Sequence, residues 1–345
     1  MLKRLGKACG SCVWMVVMLL GCGSQPSNSS GANTPKYEVV AQGLQEPRIL
    51  AIDGDELFFI DMLNAGSVYR LNLLSGEQVT LVDQAGASRL FTDTTDLYYT
   101  KLIGGSNGSV QVFRLPKWGG TPVVFVDSNP GEGTILGIVN GEFLWRDTAA
   151  VGGGTVLYAK AVSGAEAIRT VRSWTAAAEP VPYEFCMRVV GQQGLAWCDQ
   201  SGGIWVASAP DAEPQLLQTG KLYQTLDVLP DQRIVAMSPV VDNTTTKLLD
   251  LTLDIVTPSG QLASSTPVGL GRLYPFAATS YGEVFSLDTV VNAASGAAEP
   301  LGWQTPTMSL FEQYALAAKG DTLYVGGFSG SLNDGVIIRA KIPIK

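Results

Sequence analysis

Short apolar runs separated by polar or glycine-containing turns repeat along the 345-residue chain. In AIDGDELFFID (residues 51–61), an apolar run is followed by a turn and by a second apolar run that ends in aspartate. The second run recurs with spacings of 40, 46, 52, 39, 50 and 39 residues, measured from Leu57 to Leu323. Its copies are ELFFID (56–61), DLYYTK (96–101), EFLWRD (142–147), GLAWCD (194–199), RIVAMS (233–238), EVFSLD (283–288) and TLYVGG (322–327).

The early copies also contain a third and a fourth strand-like segment. In the first copy these segments are SVYRLNL (67–73) and QVTLVD (78–83), and in the second they are SVQVFRL (109–115) and TPVVFVD (121–127). A repeat of about 40–50 residues built only from short strands predicts a β-propeller, in which each blade is a four-stranded sheet. No stretch after the N-terminal segment keeps a helical period, so we predict an all-β fold.

The two ends of the repeat predict how the ring closes. The segment GVIIRAKIPIK (335–345) leaves the last copy with three strands, whereas KYEVVAQG (36–43) precedes the first copy and has no blade of its own. An N-terminal strand that completes the last blade removes an open sheet edge. We therefore expect a β-propeller domain over residues 37–345, with seven four-stranded blades, the last of them closed by the N-terminal strand. The architecture resembles that of seven-bladed propellers of the TolB-like and related bacterial type, although no WD or YWTD series is present.

Residues 1–21 have the features of a secretory signal peptide. Three basic residues precede an apolar stretch (residues 13–20) that is too short to span a bilayer core of about 30 Å. The sequence LLGC (residues 19–22) resembles the lipobox of bacterial lipoproteins, and this resemblance implies cleavage before Cys22 and acylation of its thiol. The alternative is an ordinary signal peptide followed by a coincidental cysteine.

The segment that follows predicts a tether and a location. Residues 22–36 comprise Cys22 and then GSQPSNSSGANTPK, in which every residue is small, polar or turn-forming. A flexible chain of this length reaches about 20 Å. We expect a protein of the bacterial cell envelope that contacts the membrane through its lipid anchor only, in the outer membrane rather than the inner one.

Charge and composition exclude several classes of function. The full chain has a net charge of −8. Removal of residues 1–21 takes away three of the 23 basic residues and none of the 31 acidic ones, which leaves 20 against 31, a net charge of −11. This acidity argues against nucleic acid and anionic lipid as partners. The chain contains no histidine, which excludes Ser-His-Asp and Cys-His catalysis and histidine-ligated zinc.

Four copies of the repeated strand end in aspartate, namely Asp61, Asp147, Asp199 and Asp288. In a propeller these positions lie on the face formed by the loops between the second and third strands of each blade. The four side chains are candidates for a rim that binds a cation such as Ca²⁺ or a polar ligand. The alternative, which we favour, is that each carboxylate accepts hydrogen bonds from the backbone of its own loop.

The remaining cysteines predict a disulfide. Cys186 and Cys198 flank the turn at residues 191–194 almost symmetrically, on the first and second strands of the fourth copy. Residues opposite one another in a hairpin have Cβ atoms about 4.5–5.5 Å apart, which is near disulfide reach. We expect a structural disulfide in an oxidising compartment, with two buried thiols as the alternative.

The absence of histidine and of any catalytic motif leads us to expect a non-catalytic, monomeric propeller that binds an envelope protein or a glycan. No cofactor is expected beyond the Ca²⁺ considered above. The alternative is a carbohydrate-active enzyme of the glycosidase or lyase type, with carboxylates on the loop face as acid, base or nucleophile. Two carboxyl groups within roughly 5–10 Å in a deep pocket would favour that alternative.

Overall fold

Each apolar run of the repeat forms a β-strand in the structure, which is a computed structural model. The structure describes residues 37–103, 109–130, 134–148, 154–164, 166–175, 182–191, 193–199, 201–229, 231–242, 247–269, 277–278, 283–286, 289–292, 295–300, 311–329 and 334–341. Its strands belong to one unit, Thr34–Lys345. The described residues include no helix, so the predicted all-β class is confirmed.

The described strands form seven antiparallel sheets of four strands, numbered here in chain order. Sheet 1 contains β2 (Pro47–Asp53), β3 (Glu56–Asp61), β4 (Ser67–Asn72) and β5 (Gln78–Val82), and sheet 2 contains β6 (Ala87–Thr92), β7 (Asp96–Ile103), β8 (Ser109–Pro116) and β9 (Val123–Pro130). Sheet 3 contains β10 (Thr134–Val139), β11 (Glu142–Thr148), β12 (Thr155–Ala161) and β13 (Arg169–Trp174), and sheet 4 contains β14 (Pro182–Val190), β15 (Gly194–Asp199), β16 (Ile204–Ala207) and β17 (Gln215–Gln218). Sheet 5 contains β18 (Thr225–Val228), β19 (Ile234–Asp242), β20 (Lys247–Val256) and β21 (Leu262–Gly269), and sheet 6 contains β22 (Ala277–Ala278), β23 (Glu283–Ser286), β24 (Thr289–Asn292) and β25 (Ala298–Pro300). Sheet 7 contains β26 (Phe311–Lys319), β27 (Thr322–Ser329), β28 (Asp334–Lys341) and β1 (Tyr37–Leu44).

The first strand of each sheet lies at the centre of the molecule. Strand β2 contacts β6, β6 contacts β10, and β10 contacts β14; the series continues through β18 and β22 to β26, which contacts β2 again. In sheet 7 the order is β26-β27-β28-β1, so β1 is the outermost strand and pairs with β28. This arrangement of four-stranded antiparallel sheets around shared inner strands is that of a β-propeller.

The hydrophobic core lies between neighbouring sheets. In β3, Leu57 and Phe59 pack into a cluster that also contains residues of sheet 7, whereas Phe58 and Ile60 pack into a cluster with Leu97 of sheet 2. All four β3 side chains are fully buried. A second strand is therefore apolar on consecutive residues because both of its faces are covered. Each of these side chains contributes about 1.5–3 kcal/mol of burial free energy.

The connections between strands form two faces. The backbone N–H groups of Gly86 and Ala87, which lead into sheet 2, donate to the carbonyl oxygens of Ala65 (2.8 Å) and Gly66 (3.1 Å) in the β3–β4 connection. The connections from second to third strands and from one sheet to the next therefore share one face, the loop face. The connections from first to second and from third to fourth strands form the opposite face, the turn face.

Gly66 is required at this junction. Its φ of +64° lies in the left-handed region, and a Cβ at this position would come within 2.5 Å of the backbone nitrogen of Ala87. Both the backbone conformation and the close approach exclude a side chain.

The inner strands carry irregularities that the repeat does not reveal. The pairing of first and second strands shifts register in sheets 1, 2, 3, 4 and 7. These shifts fall between Arg48 and Leu50, Ala87 and Arg89, Ile135 and Gly137, Pro182 and Met187, and Gln313 and Ala315. Such bulges bend a strand and change the direction of nearby side chains.

Two parts of the sequence analysis fall on residues that the structure does not describe. The predicted signal peptide, Cys22 and the tether up to residue 36 lie outside the described residues, and so does Asp288. Among the residues that are described, no helix has the length and hydropathy needed to cross a membrane.

Candidate functional site

Asp61 is fixed by the connection that leads into its own sheet. Its carboxylate lies at the loop-face end of β3, with the residue 1% exposed. Oδ2 accepts a hydrogen bond from the backbone N–H of Gln45 (3.0 Å), and Oδ1 accepts one from the backbone N–H of Glu46 (2.6 Å). Asp61 therefore fastens the start of β2 to the end of β3.

Asp199 is held by four hydrogen bonds from its own loop. Oδ1 accepts from the backbone N–H (2.8 Å) and hydroxyl (2.8 Å) of Ser201 and from the backbone N–H of Gly203 (2.9 Å). Oδ2 accepts from the indole N–H of Trp205 (2.5 Å). Burial alone would raise the pKa of Asp199, but the hydrogen bonds from Gly203, Ser201 and Trp205 lower it below its ordinary value.

Of the other two aspartates, the structure describes Asp147 but not Asp288. Asp147 ends the buried part of β11 and is itself buried. Burial raises the pKa of Tyr158, and the negative charge of Asp147 raises it further. Asp288 lies outside the described residues.

The described aspartates are not brought together on a common ligand. Asp61 and Asp199 each accept hydrogen bonds from backbone N–H groups of the connections beside them. We call this the capping role, since the carboxylate holds the loop at the end of its strand. Within the part of the chain that is described, no group of three or more Cys, Asp or Glu residues could hold a metal ion. Calcium binding at this rim stays a prediction.

Lys101 differs from its counterparts in the repeat. It pairs with Ala87 and occupies, at the loop-face end of β7, the position that aspartate holds in sheets 1, 3 and 4. Its side chain is half-buried and lies over Gly86, where a Cβ would come within 3.4 Å of Lys101 Cε. No described residue forms an ion pair or hydrogen bond with its ammonium group. A half-buried cation without a protein partner is a candidate ligand-binding group.

Three arginines lie one level below the Lys101 position in sheets 1, 2 and 3. Arg48 on β2 pairs with Ile60 and forms an ion pair with Glu46. Arg89 on β6 pairs with Thr100, the neighbour of Lys101, and Arg146 on β11 immediately precedes Asp147. Sheets 1 to 3 therefore collect cationic side chains on the loop face of a chain whose net charge is −8.

Sequence reasoning missed this cationic group. The signal was present, because aligning the repeated strands shows lysine at position 101 where four other copies have aspartate. The carboxylate pattern drew attention to the residues that are shared between copies. Lys101 departs from that pattern, and the structure leaves it without a described partner.

The predicted disulfide is confirmed. Cys186 on β14 and Cys198 on β15 are bonded, with their Cα atoms 5.3 Å apart and both side chains fully buried. The bond joins the two inner strands of sheet 4 directly beside Asp199. It therefore reinforces the hairpin that holds the Asp199 loop.

Two opposite charges, those of Asp227 and Arg188, lie near each other on the inner strands of sheets 4 and 5. Burial raises the pKa of Asp227 on β18, and the nearby charge of Arg188 on β14 partly opposes that rise. The Arg188 guanidinium also donates to the carbonyl oxygen of Met187 (2.8 Å). Both residues lie towards the turn-face end of their strands, far along the strand from the rim formed by Asp61 and Asp199.

Comparison with known proteins gives a fold but no family. No protein-family model and no curated protein sequence matches the chain. Among solved structures, it is similar to an oligogalacturonate lyase from Vibrio parahaemolyticus, with a TM-score of 0.60 and 13% identity over 90% of this chain and 97% of that one. An oligogalacturonate lyase in complex with manganese matches with a TM-score of 0.59 and 12% identity, over 90% of this chain and 94% of that one.

Some similar structures are longer proteins. A puromycin-hydrolysing peptidase from Mycobacterium tuberculosis matches with a TM-score of 0.56 and 14% identity over 88% of this chain. The chain spans 52% of that peptidase, about half of its length.

These matches correct our expectation of a non-catalytic binding propeller. The three similar structures named above are enzymes, so the lack of histidine and of a known motif was not sufficient ground for excluding catalysis. The lyases are closer to the carbohydrate-active alternative than to a binding scaffold. At these identities, the comparisons show that the chain has the β-propeller fold.

Proposed function

We propose that this protein is a carbohydrate-active enzyme of the lyase type that acts on an oligosaccharide containing uronic acid. The observation that carries the proposal is Lys101, a half-buried cation on the loop face that no described residue neutralises. Lys101 binds the carboxylate of the sugar. The likeness to two oligogalacturonate lyases over about nine-tenths of the chain supports this class of substrate.

The chemistry needs a cation at this place. In the elimination, water or hydroxide from the solvent takes the proton from the carbon next to the sugar carboxylate, and the C–H electron pair becomes a carbon–carbon double bond. The bond from the neighbouring carbon to the glycosidic oxygen breaks, and that oxygen takes up a proton. Negative charge grows on the carboxylate during proton removal, so an ammonium group held beside it stabilises the transition state. Lys101 can supply this stabilisation, because it lies at the loop-face end of sheet 2.

Two of the four carboxylates that we considered as acid, base or nucleophile serve another purpose. Asp61 accepts hydrogen bonds from backbone N–H groups, and Asp199 accepts them from the backbone, the Ser201 hydroxyl and the Trp205 indole, so neither is available as a glycosidase acid or nucleophile. The engagement of these two carboxylates favours a lyase, which cleaves by elimination, over a glycosidase, which cleaves by hydrolysis.

Manganese is bound in one of the similar structures, but the described residues of this chain do not fit such a metal. The chain contains no histidine, and the described residues contain no cluster of three or more carboxylate or thiol ligands. Hard divalent cations need several oxygen ligands around one point. No step of the proposed reaction is routed through a metal.

Incubation of the purified protein with trigalacturonate tests the proposal. Elimination gives products with a new ultraviolet-absorbing double bond and a summed mass equal to that of the substrate, whereas hydrolysis adds one water. Lys101→Met is expected to lower kcat/KM about 10- to 100-fold, the equivalent of one charge-assisted hydrogen bond. Lys341→Met, which removes an exposed lysine from β28, is the matched control and should leave kcat/KM unchanged.

Three outcomes count against the proposal. Products that carry an added water would assign hydrolysis instead of elimination. Equal turnover by the wild type and Lys101→Met would remove Lys101 from the site, and no turnover of any uronate-containing oligosaccharide would reject the class of substrate.

We also propose that the seven sheets are the seven blades of one closed ring. The support is the unbroken series of contacts between first strands and the pairing of β1 with β28, which supplies the fourth strand of sheet 7. Deletion of residues 37–44 should then leave β28 as an open edge and give aggregation in size-exclusion chromatography. A monomeric and equally stable truncated protein would contradict closure by β1.

For location, we propose a lipid anchor on Cys22 in the bacterial envelope. The support is the LLGC sequence after a basic and apolar segment. Metabolic labelling with an alkyne fatty acid should mark the wild type but not Cys22→Ala. Fractionation of the membranes then distinguishes the outer from the inner membrane, and absence of label in the wild type would show an ordinary signal peptide.

A further inference from the structure

A groove of about 560 Å³ lies between sheets 4 and 5 on the turn face. Its walls include the β14–β15 turn with Gln193, the segment after β16 with Ser208, and the β18–β19 turn with Gln232. Lys101 lies at the loop-face end of its strand, so the groove is on the opposite face from the proposed lyase site. Its volume falls in the range of about 300–1,000 Å³ that is typical of small-molecule sites.

The geometry of sheet 4 leaves this space open. Gly194 contributes no side chain, and a Cβ there would come within 2.9 Å of the carbonyl oxygen of Ala207. The backbone at Gly194 therefore keeps this part of the groove free of a side chain.

The floor of the groove is apolar. It is formed by Val206, Leu217, Leu195 and Ile234. Leu195 and Ile234 are each 1% exposed, so they are anchored in the core, whereas Val206 and Leu217 are only partly covered. A floor of this kind accepts the C–H surface of a ligand.

The rim of the groove is polar, and the described residues that line it include no lysine or arginine. Three primary amides, those of Gln193, Gln215 and Gln232, stand at its edge with Glu213. The backbone N–H of Gln232 donates to the carbonyl of Leu229 (2.8 Å), which fixes the turn. Each amide offers two donors and one acceptor, so the rim matches groups that both donate and accept, as hydroxyl groups do.

We infer that this groove binds an uncharged sugar unit of about disaccharide size, with the hydroxyl groups on the glutamine amides and one C–H face on the apolar floor. Anionic ligands, uronates included, are disfavoured because Glu213 is the charged residue of the lining and no cation accompanies it. The inference does not depend on the proposed lyase activity. It adds a second carbohydrate site of different charge preference on the other face of the protein.

Saturation-transfer NMR with the full chain tests the site directly. The probes are cellobiose, maltose and N,N′-diacetylchitobiose, together with trigalacturonate and a blocked trialanine peptide. We expect at least one neutral disaccharide to bind with a Kd of about 1 mM, and the peptide and trigalacturonate not to compete with it. Lys101→Met should leave this binding unchanged, so failure of the lyase proposal and failure of this one are distinguishable.

Three variants separate the groove from the rest of the surface. The double variant Gln215→Ala/Gln232→Ala changes exposed side chains and should weaken binding at least tenfold. Ser208→Trp places a large side chain at an exposed position of the lining and should abolish binding. Gln78→Ala removes an exposed glutamine from β5, the outer strand of sheet 1, and should leave the Kd unchanged.

Each contrary outcome overturns the inference. Absence of binding for all three disaccharides at about 20 mM, some twentyfold above the expected Kd, would reject a sugar site. Undiminished binding by Ser208→Trp would place the sugar elsewhere. Competition by the trialanine peptide would assign the groove to a polypeptide, and competition by trigalacturonate would assign it to an acidic sugar.

Discussion

Replacement of Asp199 by asparagine tests whether the aspartates that end the second strands support the loops. In the wild type, Oδ1 accepts three hydrogen bonds from Ser201 and Gly203, and Oδ2 accepts the indole N–H of Trp205. The asparagine carbonyl can replace Oδ1, but its amide would face the indole N–H with another donor. The carboxylate is also fully buried, so water cannot supply the missing acceptor.

The expected cost follows from these contacts. An orphaned buried donor costs about 1–3 kcal/mol, and the three bonds that change from a charged to a neutral acceptor lose on the order of 1–2 kcal/mol together. Asp199→Asn should therefore lower the free energy of unfolding by about 2–5 kcal/mol, measured by urea unfolding followed by tryptophan fluorescence. Ser201→Ala removes a single hydroxyl donor and should cost about 0.5–1.5 kcal/mol.

The pH dependence gives a second check on the same residue. Because the pKa of Asp199 is lowered in the folded state, its contribution is fully present above the unfolded pKa of about 3.9 and is lost as the pH falls through the lowered folded value. The stability difference between wild type and Asp199→Asn should accordingly shrink when the pH is lowered from about 5 to about 3. A gap that stays constant over this range, or a variant as stable as the wild type at neutral pH, would refute the capping role.

Three further predictions concern the fold and the aspartates on the loop face. Gly66→Ala should destabilise the protein far more than Gly54→Ala, because both glycines have positive φ but a Cβ at Gly54 meets nothing within 4 Å. The control, Gly54→Ala, should lose only about 1–2 kcal/mol of unfolding free energy through left-handed strain. Equal losses for the two variants in urea unfolding would contradict the clash at Gly66. Replacement of Cys186 and Cys198 by alanine should lower the unfolding free energy by about 2–4 kcal/mol, and a mass shift of the wild type on reduction and alkylation checks the bond itself. Addition of about 5 mM Ca²⁺ should leave the Tm unchanged if the aspartates are loop caps, whereas a clear rise, lost in Asp199→Asn, would establish a cation site.

The fold was predictable because its cause is local and repeated. Each second strand must bury both faces. Every copy of the repeat therefore contains consecutive apolar residues, such as Leu57 and Phe58 in the first. The missing fourth strand of the last copy and the surplus N-terminal strand were visible for the same reason. The disulfide followed from hairpin geometry around the turn at residues 191–194.

The candidate sites were less predictable because they depend on contacts across sheets. The partners of Asp199 include Trp205, six residues away in a strand whose register the sequence does not specify. The lack of a described partner for Lys101 is a property of its three-dimensional surroundings. The groove between sheets 4 and 5 depends on how the turns of two neighbouring sheets lie beside each other, which apolar patterning alone does not reveal.

The pairing of β1 with β28 has a consequence for the order of folding. The Arg339 guanidinium donates to the carboxylate of Glu38 across 301 residues of chain. Bringing two ends together over such a loop costs about 5 kcal/mol of chain entropy plus a constant, against about 1 kcal/mol for a hairpin of three residues. The hairpins of sheets 1 to 6 can form as soon as their own strands have been synthesised, whereas sheet 7 must wait for the last strand of the chain. Until then β1 and the growing ring both expose unpaired backbone, so the interval before closure is when this protein is most vulnerable to wrong strand pairing.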